Sequence, residues 1–412
     1  MNSGEPAGLY LHVPFCRSKC HYCDFYSVAS RAAVPAWLQA IKREVRQYRE
    51  AWPVFDSLYL GGGTPTILGE AELATLMTCL RRDFTFHPNS EMTIEANPDD
   101  LSRPTLQTLR ELGLNRISLG VQSLDDRDLA YLGRKHSAGQ ALRALELIHS
   151  VGWPQVGVDL MYGIEGQTLA AWKRTLDRVL SFRPEHLSCY QLTLAPGTPL
   201  GKRQADGRVR AIGERWEAAF FIFTSRYLER YGYRHYEISN FARSRETMCR
   251  HNRKYWRHVP YLGLGPSAHS FRAGRRWWNV RSITRYCQLL AADQAPVEAS
   301  ETLTHEQLSL EALALGFRTS RGVALALAGN HPGGSRTIAM LQQSRLATVH
   351  HDRLQPTRRG FLVADSLPLM FDAEGSLGSE MSESLQWPDE GGGGSRQSAK
   401  SPIWTSSGFH ST

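Results

Sequence analysis

Strand-like and helix-like segments alternate regularly through the first half of the chain, and this pattern constrains the fold most. Short apolar runs suited to strands are separated by longer stretches with apolar residues at helical spacing. The predicted strands are a run that starts at Leu9 and the segments 56–60, 91–95, 115–120, 155–161 and 186–194; the predicted helices are 34–51, 69–81, 101–112, 138–150 and 168–182. Such repeated units favour an α/β fold with a parallel sheet. About six units predict a partial (β/α)6 TIM-like barrel rather than a closed eightfold one.

The remainder of the chain changes character three times. A long amphipathic helix begins near residue 214, and an alternating strand is predicted over 235–239. The next region is rich in aromatic and basic residues with little regular period, and a small helical, winged-helix-like domain follows it. A Gly- and Ser-rich tail of low apolar content predicts disorder. The predicted domains are 1–240 (barrel), 241–299 (connecting region), 300–372 (C-terminal helical domain) and 373–412 (tail).

Composition limits the cellular compartment and the classes of ligand that suit the protein. No apolar run is long enough for a transmembrane helix, and the N-terminus lacks the features of a signal peptide. Seven cysteines, three of them clustered, favour a reducing compartment, so we expect a cytoplasmic protein. The formal charge of +8 suits nucleic acid, an anionic membrane surface or an anionic ligand such as a porphyrin with propionates. No nucleic-acid-binding motif accompanies it, and a mildly basic surface is the simpler interpretation.

Three cysteines with C-x3-C-x2-C spacing follow the first strand: Cys16, Cys20 and Cys23. Cysteines this close in sequence are poor disulfide partners and good ligands for one metal centre. Three thiolates suit an iron–sulfur cluster or zinc, but no second ligand pair for zinc follows nearby. The alternative is three ordinary buried cysteines. Arg17 and Lys19 place positive charge beside the sulfurs, and we expect them to lower the thiol pKa values.

Glycines and polar side chains occur where the predicted strands end. The Gly61–Thr64 run follows a strand, and its glycines allow a ligand to approach the backbone closely. Glu95, Gln122 and Asp159 lie at or near the ends of three further strands, and Arg134 can pair with a carboxylate there. Each can instead be a helix cap or a solvated loop residue. Together they predict one mouth in which ribose hydroxyls and an ammonium group find acceptors.

The cysteine spacing, with an aromatic residue before the last cysteine, resembles the radical S-adenosylmethionine (SAM) superfamily. The further matches are similar to the oxygen-independent coproporphyrinogen III oxidase family within it. That resemblance implies a [4Fe–4S] cluster on the three cysteines, with one iron open to SAM. It also implies SAM-binding roles for two groups of residues: Tyr10, Gly62 and Glu95 at the cluster, and Tyr22, Gly63, Thr64, Gln122, Arg134 and Asp159 where the oxidases place a second SAM.

One position separates two branches of that family. The oxidases carry a fourth cysteine, C-x3-C-x2-C-x-C, where this chain has Phe25. Another branch lacks this cysteine and carries H-N-x-x-Y-W, which here begins at His251. The chain therefore resembles the heme chaperone branch, and the resemblance implies that His251 binds heme. Cys249 and His269 are rival axial ligands. The alternative is a packing role for a histidine in an aromatic, basic loop.

The neighbours of His251 fit that interpretation. Tyr255 and Trp256 can pack on a porphyrin plane. Arg250, Arg253 and Lys254 can meet its propionates. The first functional hypothesis is a protein that binds the cluster, SAM and heme and delivers heme near a membrane to apo-hemoproteins such as respiratory enzymes. The second is an enzyme, an oxygen-independent coproporphyrinogen III oxidase, against which Phe25 weighs. No catalytic residue is assigned under the first hypothesis.

Overall fold

The computed structural model describes residues 4–371, so the predicted tail lies outside the described residues. Six parallel strands form the centre of the main sheet, as the alternation predicts. They are β1 (Ala7–Val13), β2 (Phe55–Gly62), β3 (Phe86–Ala96), β4 (Arg116–Gln122), β5 (Gln155–Tyr162) and β6 (His186–Gln191). They lie side by side in chain order, so all their carboxyl ends reach one edge. Every residue of β1 and of β4 is buried, as expected for strands covered on both faces.

Helices connect these strands and cover their outer face. They are α1 (Val34–Tyr48), α2 (Glu70–Asp83), α3 (Arg103–Glu111), α4 (Asp126–Leu132), α5 (Ala138–Ser150), α6 (Leu169–Leu180), α7 (Pro199–Ala205) and α8 (Glu214–Arg230), with short 3-10 turns at Pro65–Ile67 and Pro98–Asp100. Local signals start several of them. Ser137 and Gln140 form a capping box at α5, and Thr168 caps α6. Trp37 and Trp172 anchor their helices in the core, each with no exposed surface.

The region with little sequence period contains regular structure. After β7 (Arg234–His235), β8 (Asn240–Ala242) and α9 (Arg250–Tyr255), the chain forms β9 (Tyr261–Leu264), β10 (His269–Arg272), β11 (Arg275–Asn279), α10 (Ile283–Ala291) and β12 (Val297–Thr302). β9 pairs in parallel with β1, and β10 to β12 follow it antiparallel. The strand predicted over 235–239 is wrong, because β7 and β8 flank a turn there. These strands span two to six residues, too few to show a period.

The described chain divides into two compact units at Leu315 and Gly316. The boundary falls within α11 (His305–Phe317). The second unit contains β13 (Val323–Ala324), α12 (Leu325–Gly329), α13 (Gly334–Gln343), β14 (Ala347–His350), β15 (Arg353–Pro356), α14 (Arg358–Leu362) and a 3-10 turn at Pro368–Phe371. Its three strands form an antiparallel sheet over a core that includes Leu354 and Phe371. Within residues 4–371, no helix has both the length and the apolar character needed to cross a membrane.

Candidate functional site

The cysteine loop leaves β1 at the carboxyl edge of the sheet. All three of its cysteines are free and partly buried. The loop is held in place from several sides: Cys16 donates its N–H to Val28 at 3.1 Å, and His21 bonds through its backbone to Leu132 and Leu200 at 2.9 Å each. α4 and α7 therefore fix the middle of the loop.

The cysteine loop offers three thiols to a metal centre. Among the described residues, no three His, Cys, Asp or Glu side chains converge closely enough to hold one metal ion. A four-iron cluster, by contrast, binds each thiolate through a different iron, so its ligands stand further apart than those of a single zinc. The three thiols of the cysteine loop can each bind a different iron of such a cluster.

The electrostatics of the loop differ from the expectation that flanking cations lower the thiol pKa values. Burial raises the pKa of Cys16 and raises that of Cys23 to about 12, and Lys19 offsets only a small part of the latter. Arg17 turns away and pairs with Asp100 at 2.8 Å. The cation at the sulfurs comes instead from a distant part of the chain.

Arg134 is that cation. Its Nη1 lies 3.5 Å from the Cys20 sulfur. Its Nη2 donates to the Asn97 side chain at 2.5 Å and to the Gly120 carbonyl at 2.7 Å. These hydrogen-bond partners are an amide and a carbonyl rather than the carboxylate expected from the sequence. The guanidinium therefore keeps its charge for the cluster loop and for ligands beside it.

The glycine run lies directly under the cysteine loop. Gly62 adopts a left-handed φ of 105°, and its N–H donates to Glu95 Oε2 at 3.1 Å. A Cβ on Gly63 would stand 2.5 Å from the Phe15 carbonyl oxygen, so only glycine fits there. The hydroxyl of Thr64 lies 3.8 Å from the Cys16 sulfur. The run thus brings backbone groups to the sulfurs.

The predicted acceptors Glu95, Gln122 and Asp159 lie at or near the ends of β3, β4 and β5. Glu95 accepts from Tyr59 at 3.0 Å, and Asp159 accepts from Ser118 at 3.1 Å. Burial, reinforced by the charge of Asp159, raises the pKa of Glu95 to about 7. Burial likewise raises the pKa of Asp159. Gln122 ends β4 with a left-handed φ of 64° and is buried. Two partly buried acids whose charges interact suit a cationic ligand that would restore their ionised form.

Two tyrosines complete the predicted set. Tyr10 is buried, and its hydroxyl hydrogen-bonds to His12 Nδ1 at 3.0 Å. Tyr22 lies in the cysteine loop beside Arg134, and burial raises the pKa of its hydroxyl. His12 also bonds to the Tyr26 carbonyl at 2.8 Å and so ties the first strand to the loop. Sequence reasoning missed His12, although it shares a strand face with Tyr10 by its spacing of two.

The H-N-x-x-Y-W segment lies at the amino-terminal end of the parallel strands, away from the cysteine loop. We call residues 249–256 the floor segment. Its His251 contacts Ser57 near the start of β2, and the ring centroids of His251 and Tyr59 are 5.3 Å apart. His251 has no exposed surface. Its Nδ1 bonds to Ser57 Oγ at 3.0 Å, and its Nε2 bonds to the Tyr255 hydroxyl at 2.8 Å. Both ring nitrogens are therefore occupied.

Buried charge fixes the floor segment in place. Glu91 accepts from the backbone N–H groups of Arg250 and His251 at 3.0 Å each and lies 3.6 Å from the Cys249 sulfur. Lys254, only 3% exposed, pairs with Asp56 at 2.6 Å. Its ammonium is therefore not available to propionates, contrary to the sequence expectation. Arg250 is bonded to the carbonyls of Asp56 and Asn89.

His269 lies at the opposite end of the barrel from the floor segment. It begins β10 at the carboxyl edge and is exposed. Its ring stacks on Trp278, with centroids 5.8 Å apart. Arg281 follows on the same edge, donates to the Asp24 carbonyl at 3.1 Å and lies 6.0 Å from the Tyr26 ring. We call His269, Trp278 and Arg281 the rim residues.

The chain is similar to known proteins over most of its length. The radical SAM superfamily model matches residues 10–179. A heme chaperone HemW from Mycobacterium tuberculosis is 36% identical over 370 residues, covering 88% of this chain and 94% of the relative. HemW from Bacillus subtilis is 35% identical over 76% of this chain and 84% of its own length. A bovine mitochondrial radical S-adenosyl methionine domain-containing protein 1 is 32% identical over 93% of this chain and 89% of its own.

A solved structure shows the same fold. Coproporphyrinogen III oxidase HemN from Escherichia coli superposes with a TM-score of 0.77 over 89% of this chain and 90% of its own, at 23% identity. Fold and cysteine loop define a radical SAM protein. Within that superfamily the chain belongs to the family of HemW heme chaperones, and that family implies a [4Fe–4S] cluster and SAM.

Proposed function

We propose that this protein is a cytoplasmic heme chaperone that holds a [4Fe–4S] cluster and SAM, binds heme as cargo and delivers it to apo-hemoproteins. One observation carries the proposal: a HemW-family chain presents three clustered thiols and convergent acceptors at one edge, with Phe25 where the oxidases have a fourth cysteine. The net charge of +8 is compatible with a recipient on an anionic membrane surface, such as a respiratory enzyme.

In this proposal Cys16, Cys20 and Cys23 hold the cluster. A bound cluster would supply the electron that cleaves the SAM sulfonium in radical SAM chemistry. The chain's own contribution is recognition. Ionised Glu95 would accept hydrogen bonds from the ammonium group of SAM, and Gly62 would allow the ligand to approach the backbone closely. Tyr10, whose ring lies 6.3 Å from that of Tyr59, would line the same SAM site.

A second group of side chains would line the neighbouring space. Its members offer complementary chemistry: hydroxyls, an amide, a carboxylate and a guanidinium suit ribose, carboxylate and phosphate-like groups. They are Tyr22, Gly63, Thr64, Gln122, Arg134 and Asp159. Arg134 gives this space a positive charge beside Cys20, which favours an anionic ligand such as the carboxylate of SAM.

Heme titration followed by transfer tests the proposal. The protein is reconstituted anaerobically with iron and sulfide and titrated with hemin, and excess hemin is removed. An apo-hemoprotein is then added, and we expect its holo spectrum to appear faster than with an equal amount of hemin bound to albumin. If the reconstituted protein retains no heme, or transfers it no faster than albumin does, the chaperone proposal fails.

The same preparation tests the oxidase alternative. Incubation with coproporphyrinogen III, SAM and a reductant should leave the propionate side chains intact, as measured by mass spectrometry. Escherichia coli HemN serves as the positive control. Loss of two carboxyl groups as CO₂ would show that this chain is an oxidase and that the absent fourth cysteine is not required.

A further inference from the structure

We propose that His269, at the carboxyl edge of the barrel, is the axial ligand of the cargo heme, with Trp278 as its packing partner and Arg281 as its propionate contact. This inference rests on the proposed function, because it assigns the heme site of the chaperone. It moves that site from the floor segment to the rim, next to the cysteine loop.

Availability of the ligand nitrogen is the first argument. Iron needs a ring nitrogen with a free lone pair. Both nitrogens of His251 are bonded to neighbours inside the protein, and Cys249 is 2% exposed with its sulfur against Glu91. His269 is exposed and requires no rearrangement of the fold to reach iron.

Position is the second argument. β10 begins and β11 ends at the carboxyl edge, so His269 and Trp278 are directly opposite each other in the antiparallel ladder. Residues two apart along a strand share a face, and paired residues share it across strands. Through Phe271, Tyr261 and Gly263, that face leads to Tyr10 on β1. His269 is therefore on the same face of the sheet as Tyr10, nearer the carboxyl edge.

Chemical complementarity is the third argument. The His269 ring stacks on Trp278, with ring centroids 5.8 Å apart, so an imidazole that can bind iron lies beside an apolar surface. Half-buried Trp278 offers an apolar surface to the macrocycle. Arg281 is exposed, and its contacts at Asp24 and Tyr26 are a carbonyl and a ring, so neither contact neutralises its charge. A propionate can supply that missing partner.

A ligand-swap experiment decides the assignment. Reconstituted wild-type protein and the variants His269→Ala, His269→Cys, Trp278→Ala and His251→Ala are titrated with hemin, and the Soret band is recorded. His149→Ala, an exposed histidine on α5, is the matched control for nonspecific binding. We expect His269→Ala to weaken hemin binding by at least about tenfold. His269→Cys should change the band to that of thiolate-ligated heme.

The controls should behave differently. His149→Ala should match wild type, and folded His251→Ala should keep the wild-type Soret position. Iron and sulfide content should be unchanged in the His269 variants, which separates heme binding from cluster assembly. An unchanged band and affinity in both His269 variants would overturn the inference while leaving the chaperone proposal intact. Absence of heme binding by the wild type would instead overturn both.

Discussion

Two histidines of this chain show how differently the same residue type is used at the two ends of one barrel. His251 is enclosed by Ser57, Tyr255 and Tyr59, and burial lowers its pKa to about 3. His269 is exposed at the start of β10, and its ring stacks on that of Trp278. The first is a structural member of a packed layer, and the second faces solvent. Motif membership alone did not distinguish them.

The floor segment also contacts residues that adjoin the predicted SAM site. His251 packs on Tyr59, whose hydroxyl donates to Glu95 at 3.0 Å. Tyr10 packs on the same imidazole, with centroids 6.3 Å apart. The H-N-x-x-Y-W motif therefore supports two residues of the predicted SAM site from below. This arrangement gives the motif a role that does not involve iron.

Removal of a cluster cysteine should cause the greatest change, a loss of bound iron that does not involve the floor segment. Cys20→Ala should abolish the visible absorption and the bound iron of the reconstituted cluster, because the loop then has only two thiolates. The melting temperature of the apo-protein should change little, since Cys20 is at the opposite end of the barrel from the floor segment. Cys287→Ala, a half-buried cysteine on α10, is the control and should keep full iron content. Retention of cluster and spectrum by Cys20→Ala would remove the cluster assignment.

The next effect is on the floor segment itself. Glu91 is 7% exposed and lies 4.0 Å from the buried Arg116. Glu91→Ala should lower the free energy of unfolding by about 3–5 kcal/mol, because it leaves that guanidinium without its carboxylate and two N–H groups without an acceptor. Chemical denaturation measures the loss, and Glu91→Gln should recover part of it. A loss no larger than that of the surface variant Glu146→Ala would contradict this account of the floor segment.

A smaller loss is expected at His251. His251→Ala should lower the free energy of unfolding by about 2–4 kcal/mol, from the cavity and from the unpaired Ser57 and Tyr255 hydroxyls. It should also weaken SAM binding, because Tyr10 and Tyr59 lose their support. Thermal melts and calorimetric SAM titration test both effects, with His149→Ala as the neutral control. Unchanged stability together with loss of heme would return the ligand role to His251.

The smallest effect is a pH dependence at Glu95. Its folded-state pKa of about 7 lies above the ordinary value for glutamate. Between those two values the folded protein holds more protons than the unfolded chain, so this group lowers the free energy of unfolding as pH rises towards 7. SAM recognition needs the ionised form, so SAM affinity should fall about tenfold per pH unit below 7, equal to about 1.4 kcal/mol.

Calorimetric titration of SAM from pH 5.5 to 8.5 checks this prediction. Glu95→Gln should bind SAM more weakly and show a flatter pH profile, because its amide does not titrate. A wild-type affinity that is flat across this range would mean that Glu95 does not contact the ammonium group.

The parallel sheet could be predicted from the sequence, because strand and helix periodicity is a local property that each segment carries independently. The cysteine loop and the acceptors Glu95, Gln122 and Asp159 could be predicted as well, since parallel strands bring residues at their ends to one edge whatever the details of packing.

The later strands and the long-range contacts of the site became visible only in the folded protein. Strands β9 to β12 are short, and their pairing with β1 depends on contacts between residues far apart in sequence. Arg134 reaches Cys20 across 114 positions, and Glu91 reaches the His251 N–H across 160. No local pattern encodes such contacts, because burial and hydrogen bonding of a polar side chain depend on which distant groups fold against it. For that reason the sequence could mark His251 and His269 as candidates, while the fold decided which one faces solvent.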